Sequence, residues 1–511
     1  MDKFAKSLTA ELNSVTTTTE NGALAYATSG HNLLDMNFKL SSYRAYNVPD
    51  DIVKDFIKAW AENPRLAVKF LFFAGDVRQG AGERKVFRAC LHWLAKVRPD
   101  WTKALLPLVA EYNRWDSLLA VLWDTPVSDA AIALLHKQLL ADQQAMREGK
   151  PVSLCAKWLP SINTSSRRVR RTARLLAKAW GMSERQYRKA LAALRDYLNV
   201  TEVRTSANQW SSIDYAAVPS QANIRYRNAF LRHDEERRRQ YLGALEKGDT
   251  KINASVTAPH EIVQAYRYHD WYVCGGLGQR DASLEALWKA LPDYVQGDNS
   301  SIAVVDSSGS MFKDMHPAPC DVATGLGIYF AEHLSGAFKG KYITFSSRPQ
   351  LVDVGKVDSL HEKLLIADEY AEISNTNIKA VFDLILRTAI DNSLPQDELP
   401  RNIIIFSDME FDYCAEPQDP DAQKVLFEVI AQKYAEAGYK LPRLVFWNIC
   451  GRTNGIPLQR NENGVALMSG FSTALVQMAL RGTLDPFALL LETLNAPRYD
   501  KIDKALDSVV A

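Results

Sequence analysis

The sequence has little cysteine, no long apolar run and almost no net charge, and each shortage removes a class of protein. Its six cysteines among 511 residues (Cys90, Cys155, Cys274, Cys320, Cys414 and Cys450) are scattered, with no Cys-x-x-Cys pair and no Cys/His cluster at zinc spacing. That excludes a disulfide scaffold and a zinc module, so reduced core thiols are expected. The longest apolar runs, FLFFAG and NIIIF, fall far short of the roughly 18 residues a spanning helix needs. The start, MDKFAKSLTAELN, lacks the apolar core of a signal peptide. A cytoplasmic protein without membrane contact is the expectation.

Catalytic signatures are missing as well. No Ser/His/Asp or Cys/His arrangement stands out among the nine histidines. The Gly-rich loop from Asp76 to Lys85 lacks the Gly-Lys-Ser/Thr ending of a phosphate-binding loop and follows a helix-like run instead of a strand. An inter-helix turn is the first reading of it, and a nest of backbone N–H groups for an anion the second. A non-enzymatic protein is expected.

The missing net charge is a cancellation. Against 61 Lys+Arg stand 60 Asp+Glu, for a formal charge of +1, yet residues 299–511 carry 19 basic and 28 acidic side chains and residues 1–298 carry 42 and 32. The first part is therefore +10 and the second −9. Residues 161–240 alone hold 17 Lys+Arg and 7 Asp+Glu, which accounts for the whole basic excess.

The two parts also differ in periodicity. From Val48 to about Trp288 apolar residues recur at helical spacing, as in DIVKDFIKAWAENPRLAVKFLFF and ERKVFRACLHWLAKV, punctuated by Pro64, Pro99 and Pro126. Residues 1–298 are thus expected to be all-α, in short paired helices of HEAT-like architecture, although no repeat period is visible. Ten of the eleven tryptophans lie there and read as packing residues. After Gly297, short β-branched runs (SIAVVD, KYITF, RNIIIF, RLVFWNI) alternate with amphipathic stretches, so residues 299–511 are expected to form a doubly wound α/β domain. Ligands of such folds sit beyond the carboxyl ends of the strands.

The first of those ends runs into Asp306-Ser307-Ser308-Gly309-Ser310. One carboxylate and two hydroxyls, alternating through a tight turn, can face one point. That all-oxygen set suits Mg²⁺ or another hard divalent cation and not zinc. The pattern resembles the metal-ion-dependent adhesion site of von Willebrand factor A-like domains, D-x-S-x-S followed by a Thr and an Asp from later loops. The matching positions are Asp306, Ser308, Ser310, then Thr376 in SNTNIKAVFDLI, then Asp408 in IIIFSDMEFD. The resemblance implies a cation whose open position is completed by a carboxylate from a protein partner. Glu410 and Asp412 lie beside Asp408, as solvated loop carboxylates or as acceptors that hold a water against a metal ligand.

The basic stretch has its own pattern. In SSRRVRRTARLLAKAWG, Val169, Ala173, Leu176 and Trp180 form one helical stripe while Arg167, Arg171, Arg174 and Lys178 line the opposite side. With Arg168, Arg170, Arg185, Arg188 and Lys189 they make a candidate RNA surface, the more so as Tyr187, Tyr226 and Tyr241 are interleaved with arginine and could stack on bases. A solvated face, or one paired with the acidic part of the chain, is the alternative.

Two wider resemblances follow. The segments LFFAGDVRQGAGERKVF, NRWDSLLAVL, AKWLPS, QWSSIDYAAVPSQA, FSDMEFD, YKLPRLVFWNI and GVALMSGFS resemble the domain-of-unknown-function (2828) family, whose members join a helical region to an A domain. The overall plan, and the ending GFSTALVQMALRGTLD, are similar to the Ro autoantigen family (a TROVE region plus an A domain), which implies binding of structured or misfolded RNA. Three functions are therefore carried forward: a cytosolic RNA-binding protein with a Mg²⁺-dependent site, a protein-interaction adaptor that docks a partner's carboxylate on the metal, and a metal-dependent hydrolase using Asp408 or Glu410.

Overall fold

The structure is a computed structural model that describes residues 16–18, 24–45, 49–267, 276–295, 300–312, 316–346, 348–371, 378–410, 426–450, 465–471, 475–480 and 485–510. They fall into two compact units, one of residues 1–48, 55–63 and 254–494 and the other of residues 49–54, 64–253 and 495–511. Besides a short hairpin of β1 (Thr16–Thr18) and β2 (Leu24–Tyr26), six strands make one sheet: β3 (Ser301–Asp306), β4 (Lys341–Phe345), β5 (Leu351–Asp353), β6 (Asn402–Ser407), β7 (Arg443–Asn448) and β8 (Val465–Ser469).

The first unit is built on that sheet, in the order β5-β4-β3-β6-β7-β8. All neighbours are parallel except the edge pair β4 and β5. Every residue of β3 and of β7 is buried, as the continuous apolar runs require of strands covered on both faces. Successive strands leave β3 in opposite directions, β4 to one side and β6 to the other, so the switch point lies between the carboxyl ends of β3 and β6. The short antiparallel β5 has no counterpart among the strands read from the sequence.

Residues ahead of position 299 contribute heavily to this unit. The helix Pro259–Tyr266 packs on the helix Pro319–His333 so closely that a Cβ on Gly325 would lie 3.0 Å from the His260 nitrogen. Arg267 bridges Asp321 at 3.1 Å and also Asp368. Glu285 accepts from the backbone N–H groups of Leu360 and His361. At the other end of the sheet, Ser41 N–H donates to Ser469 Oγ at 2.8 Å and Asn448 Nδ2 to the Phe38 carbonyl at 2.9 Å. The compact unit therefore does not begin where the charge and the periodicity change.

The second unit is helical, as its 3.6-residue periodicity predicts. Its central helix, Pro64–Gly75, is buried at every position from Ala67 to Gly75. Arg84–Val97 buries Val86, Phe87, Cys90, Leu91 and Leu94 on one side, and Pro99 opens the next helix at its first turn. The chain's last helix, Asp500–Val510, belongs here and not to the sheet. Lys69 pairs with Asp503 at 2.6 Å, Lys501 with Glu111 at 2.7 Å, and the rings of Tyr112 and Tyr499 stack at 5.8 Å. Cys90, Cys155, Cys320 and Cys450 are buried thiols outside any disulfide among the described residues, as expected of core thiols, while Cys274 and Cys414 lie outside the described residues.

Candidate metal centre and basic helical face

Asp306 ends β3 and Ser407 ends the neighbouring β6, so the parallel register brings the two loop starts side by side at the switch point. Asp306 and Asp408 are 2% and 1% exposed, and Ser308 is 3% exposed. Two hydrogen bonds fix the Asp306 carboxylate: the Ser308 N–H donates to Oδ1 at 2.9 Å and the Ser407 hydroxyl to Oδ2 at 2.5 Å. The hydroxyls of Ser308 and Ser310 lie 3.0 Å apart. Past β6, Met409 takes a left-handed φ of 63°, its N–H donating to Ser407 Oγ while the N–H of Glu410 donates to Asp408 Oδ1 at 3.2 Å. A non-glycine residue held in that region costs on the order of 1–3 kcal/mol, which the surrounding hydrogen bonds must offset.

The electrostatics follow from that crowding. Burial, and then the charge of Asp408, push the Asp306 carboxyl from 3.8 up to about 7, against the lowering effect of the Ser407 and Ser308 hydrogen bonds. Beside Asp306 lies a 20 Å³ cavity lined in part by Ser307, Thr324, Thr344, Arg267 and Asp368, room for about one water. Burial raises the Asp368 carboxyl, with Arg267 opposing. Among the described residues no group of three or more His, Cys, Asp or Glu converges, so the donor set depends on hydroxyls as much as on carboxylates.

Of the five metal candidates, Asp306, Ser308, Ser310 and Asp408 are thus placed at adjoining strand ends, and Thr376 lies outside the described residues, as does Asp412. Glu410 departs from expectation: it is fully buried, not a solvated loop carboxylate. Ser407 is a further residue of the site that lies outside the D-x-S-x-S pattern. Its signal was its place as the last residue of an apolar strand just before Asp408.

The basic candidates lie on two consecutive helices of the second unit, Arg167–Ala179 and Glu184–Tyr197, joined through Gly181 at a φ of 66°. Ser166 caps the first helix and Ser183 the second, the latter with a full capping box to Gln186. Arg167, Arg168, Arg171, Arg174, Lys178, Arg185, Arg188 and Lys189 are exposed and Arg170 is half-buried. Arg174 pairs with Glu184 at 2.8 Å, and the Arg171 guanidinium lies 4.3 Å from the Trp123 ring centre. The other seven make no ion pair with a carboxylate among the described residues. Much of the remaining charge in residues 161–240 is spent internally: Arg195 donates to the carbonyls of Ala156 and Leu159, Arg204 pairs with Asp196 at 2.9 Å, and Arg238 is fully buried against Tyr215, Phe230 and Tyr241.

The packing stripe holds for Ala173, Leu176 and Trp180, but Val169, in the first turn of the helix, is 37% exposed. The interleaved rings turn inward. Tyr187 is 0% exposed and its hydroxyl donates to the Pro160 carbonyl at 2.9 Å. Tyr226 and Tyr241 pack against the small core of Ile213, Tyr215, Val218 and Phe230. Tyr187 is therefore no stacking platform, because an apolar ring at helical spacing is worth more buried than wet, while Tyr226 and Tyr241 are half-buried. The loop after Gly75 is the inter-helix turn: the N–H groups of Gly80, Ala81 and Glu83 go to the carbonyls of Asp76, Phe73 and Ala74, leaving them no anion to bind. Asp76 itself accepts from Arg498 Nη2 at 2.8 Å and from the Arg78 N–H.

No helix among the described residues is long and apolar enough to cross a membrane. A second family model, for the domain of unknown function DUF7788, matches residues 300–488. The crystal structure of the Ro (RSR) protein of Deinococcus radiodurans aligns with 90% of this chain and 99% of its own, at 13% identity and a TM-score of 0.44. The uncharacterized protein L728 of Acanthamoeba polyphaga mimivirus is 32% identical over 519 residues, covering 93% of this chain and 87% of the viral protein. The model of the domain of unknown function DUF2828 matches residues 19–111 and 127–298, more than half of the chain, and the chain belongs to that family.

Proposed function

We propose that the protein is a non-enzymatic RNA-binding protein that carries a divalent-cation site in its sheet-based unit. The observation that carries the first half is the pair of helices with seven exposed or half-exposed cations that have no carboxylate partner among the described residues. Unpaired guanidinium and ammonium groups concentrated on one surface repel one another, and a polyphosphate removes that repulsion while releasing its own counterions.

The chemistry of the donor set fits the second half. Two buried carboxylates, one of them with a strongly raised proton affinity, and two hydroxyls within hydrogen-bond distance of each other are what a hard divalent ion such as Mg²⁺ would satisfy. Asp306, Ser308, Ser310 and Asp408 would hold it, with Thr376 as the further ligand the adhesion-site pattern calls for. When bound, the ion supplies an open coordination position for an acidic group of a partner. The chain's own contribution is orientation: Ser407 and the Ser308 N–H hold Asp306, and the Glu410 N–H holds Asp408. Hydrolysis is disfavoured because Glu410, the neighbouring candidate base, is sealed from solvent.

Binding of labelled structured RNA, followed by anisotropy as salt is raised, tests the RNA reading. Affinity that falls steeply with salt is expected, and no salt-sensitive binding refutes it. The adaptor reading rests on the carboxylate pair alone. It predicts a protein partner lost with chelator or Asp306→Ala but retained when Arg167 and Arg168 are reversed in charge.

A further inference from the structure

We infer that the basic face grips the phosphates of a double helix and does not read the unstacked bases of a single strand, an inference that rests on the RNA-binding reading and specifies its ligand. Arg167, Arg171, Arg174 and Lys178 stand at i, i+4, i+7 and i+11 of one helix, a single stripe roughly 16 Å long at 1.5 Å per residue. Arg174 meets Glu184 at the start of the second helix, and Arg188 lies one turn beyond Glu184 on the same side. The ion pair therefore joins the stripe to Arg188, with Arg185 and Lys189 as its neighbours. Over about 16 Å of axis a duplex presents roughly ten phosphates, twice the density of one strand.

What the face lacks decides between ligands. Single-strand surfaces combine cations with a succession of rings on which bases stack. Here Tyr187 is inside the core, Trp180 is 8% exposed with its Nε1 donating to the Ile132 carbonyl, and the Trp123 ring is covered by Arg171. Tyr197, nine residues past Arg188, is exposed but tied through its hydroxyl to the Lys150 carbonyl. With one tethered ring and a rigid cationic row, a flexible strand would have to be ordered without stacking in return, whereas a duplex arrives with its phosphates already spaced. Recognition through phosphates alone is indifferent to base sequence.

The test uses the full chain and duplex RNA, duplex DNA and single-stranded RNA of about 20 nucleotides in two unrelated sequences, titrated between about 50 and 200 mM salt. Either duplex is expected to bind at least about tenfold tighter than the single strand, with the two sequences alike, and the RNA and DNA arms identify which helix form is preferred. Charge reversal at Arg167, Arg168, Arg188 and Lys189, none of which anchors the fold, should lower duplex affinity roughly a hundredfold and flatten the log–log salt slope by about 3–4. The neutral glutamine variants of the same four positions should fall between. Tighter or sequence-dependent binding of the single strand, or an unchanged slope in a folded variant, overturns the inference while RNA binding stands. Absence of salt-sensitive binding to all three nucleic acids overturns the RNA-binding reading itself.

Discussion

Replacing Asp306 by Asn should make the metal-free protein more stable. Asp306 and Asp408 are both buried, and burial together with the Asp408 charge moves the Asp306 carboxyl from 3.8 to about 7 in the folded state. A carboxyl whose folded value lies above its unfolded one binds more protons when folded. Its contribution is fully favourable below pH 3.8, is lost progressively as pH rises, and is gone above about 7. The destabilisation accumulated by pH 8 comes from ionising a carboxyl that is buried beside a second one, and it amounts to roughly a few kcal/mol. Asparagine keeps the shape, its Oδ1 still accepts the Ser308 N–H, and its amide can donate to the Ser407 oxygen that the carboxylate faced. Part of that penalty should therefore be recovered, about 1–4 kcal/mol at pH 8 in chelator, with the difference vanishing near pH 4. Mg²⁺ should instead stabilise the wild type, by about 2.7 kcal/mol at a hundred times its dissociation constant, and leave the Asn variant unmoved. Urea or thermal unfolding at pH 8 and pH 4, with Mg²⁺ or with EDTA, measures all four combinations. An Asn variant less stable than wild type in EDTA at pH 8, or equal stabilisation of both proteins by Mg²⁺, would refute the reasoning.

Other parts of the molecule give independent checks. Asp76→Ala leaves Arg498 facing an empty buried site and removes the acceptor of the Arg78 N–H, so a loss of about 3–5 kcal/mol is expected in chemical denaturation. Tyr187→Phe removes only the bond to the Pro160 carbonyl and should cost about 1 kcal/mol in stability with no change in nucleic-acid affinity; a large affinity loss would restore that ring to the binding surface. His260, lowered to about 3 by burial and then by the nearby Arg44, folds neutral. Its contribution is present above pH 6.5 and is lost as pH falls toward 3, opposite in sign to Asp306. A His260→Leu variant should therefore show a shallower stability loss between pH 6.5 and pH 4 than the wild type.

Much of the candidate site was legible because its signals are local. The alternation Asp306, Ser308, Ser310 after an apolar run reports a strand end whatever the rest of the chain does. Asp408 was reached through the family pattern, and its position one residue past β6 agrees with it. Glu410 runs against its local signal: a carboxylate three residues beyond a strand is usually wet, whereas here it is fully buried. The tyrosines of the basic stretch posed the same problem in reverse: a ring between arginines has one sequence signature whether it points into the core or out of it.

By itself the sequence determined the long helices and the parallel strands of the sheet, though not the short β5 or the β1–β2 hairpin, since side-chain periodicity is set by the backbone geometry of each element and three residues are too few to show it. It also determined where oxygen ligands and cations are concentrated. The tertiary structure decided how the chain is divided. Residues 254–267 and 276–295 belong to the compact unit built on the sheet and residues 495–510 to the helical one, while charge and pattern change at position 298. The contacts responsible, such as Arg498 on Asp76 across 422 residues of chain, leave no periodic trace, because they depend on the path of the whole chain and not on any window of it.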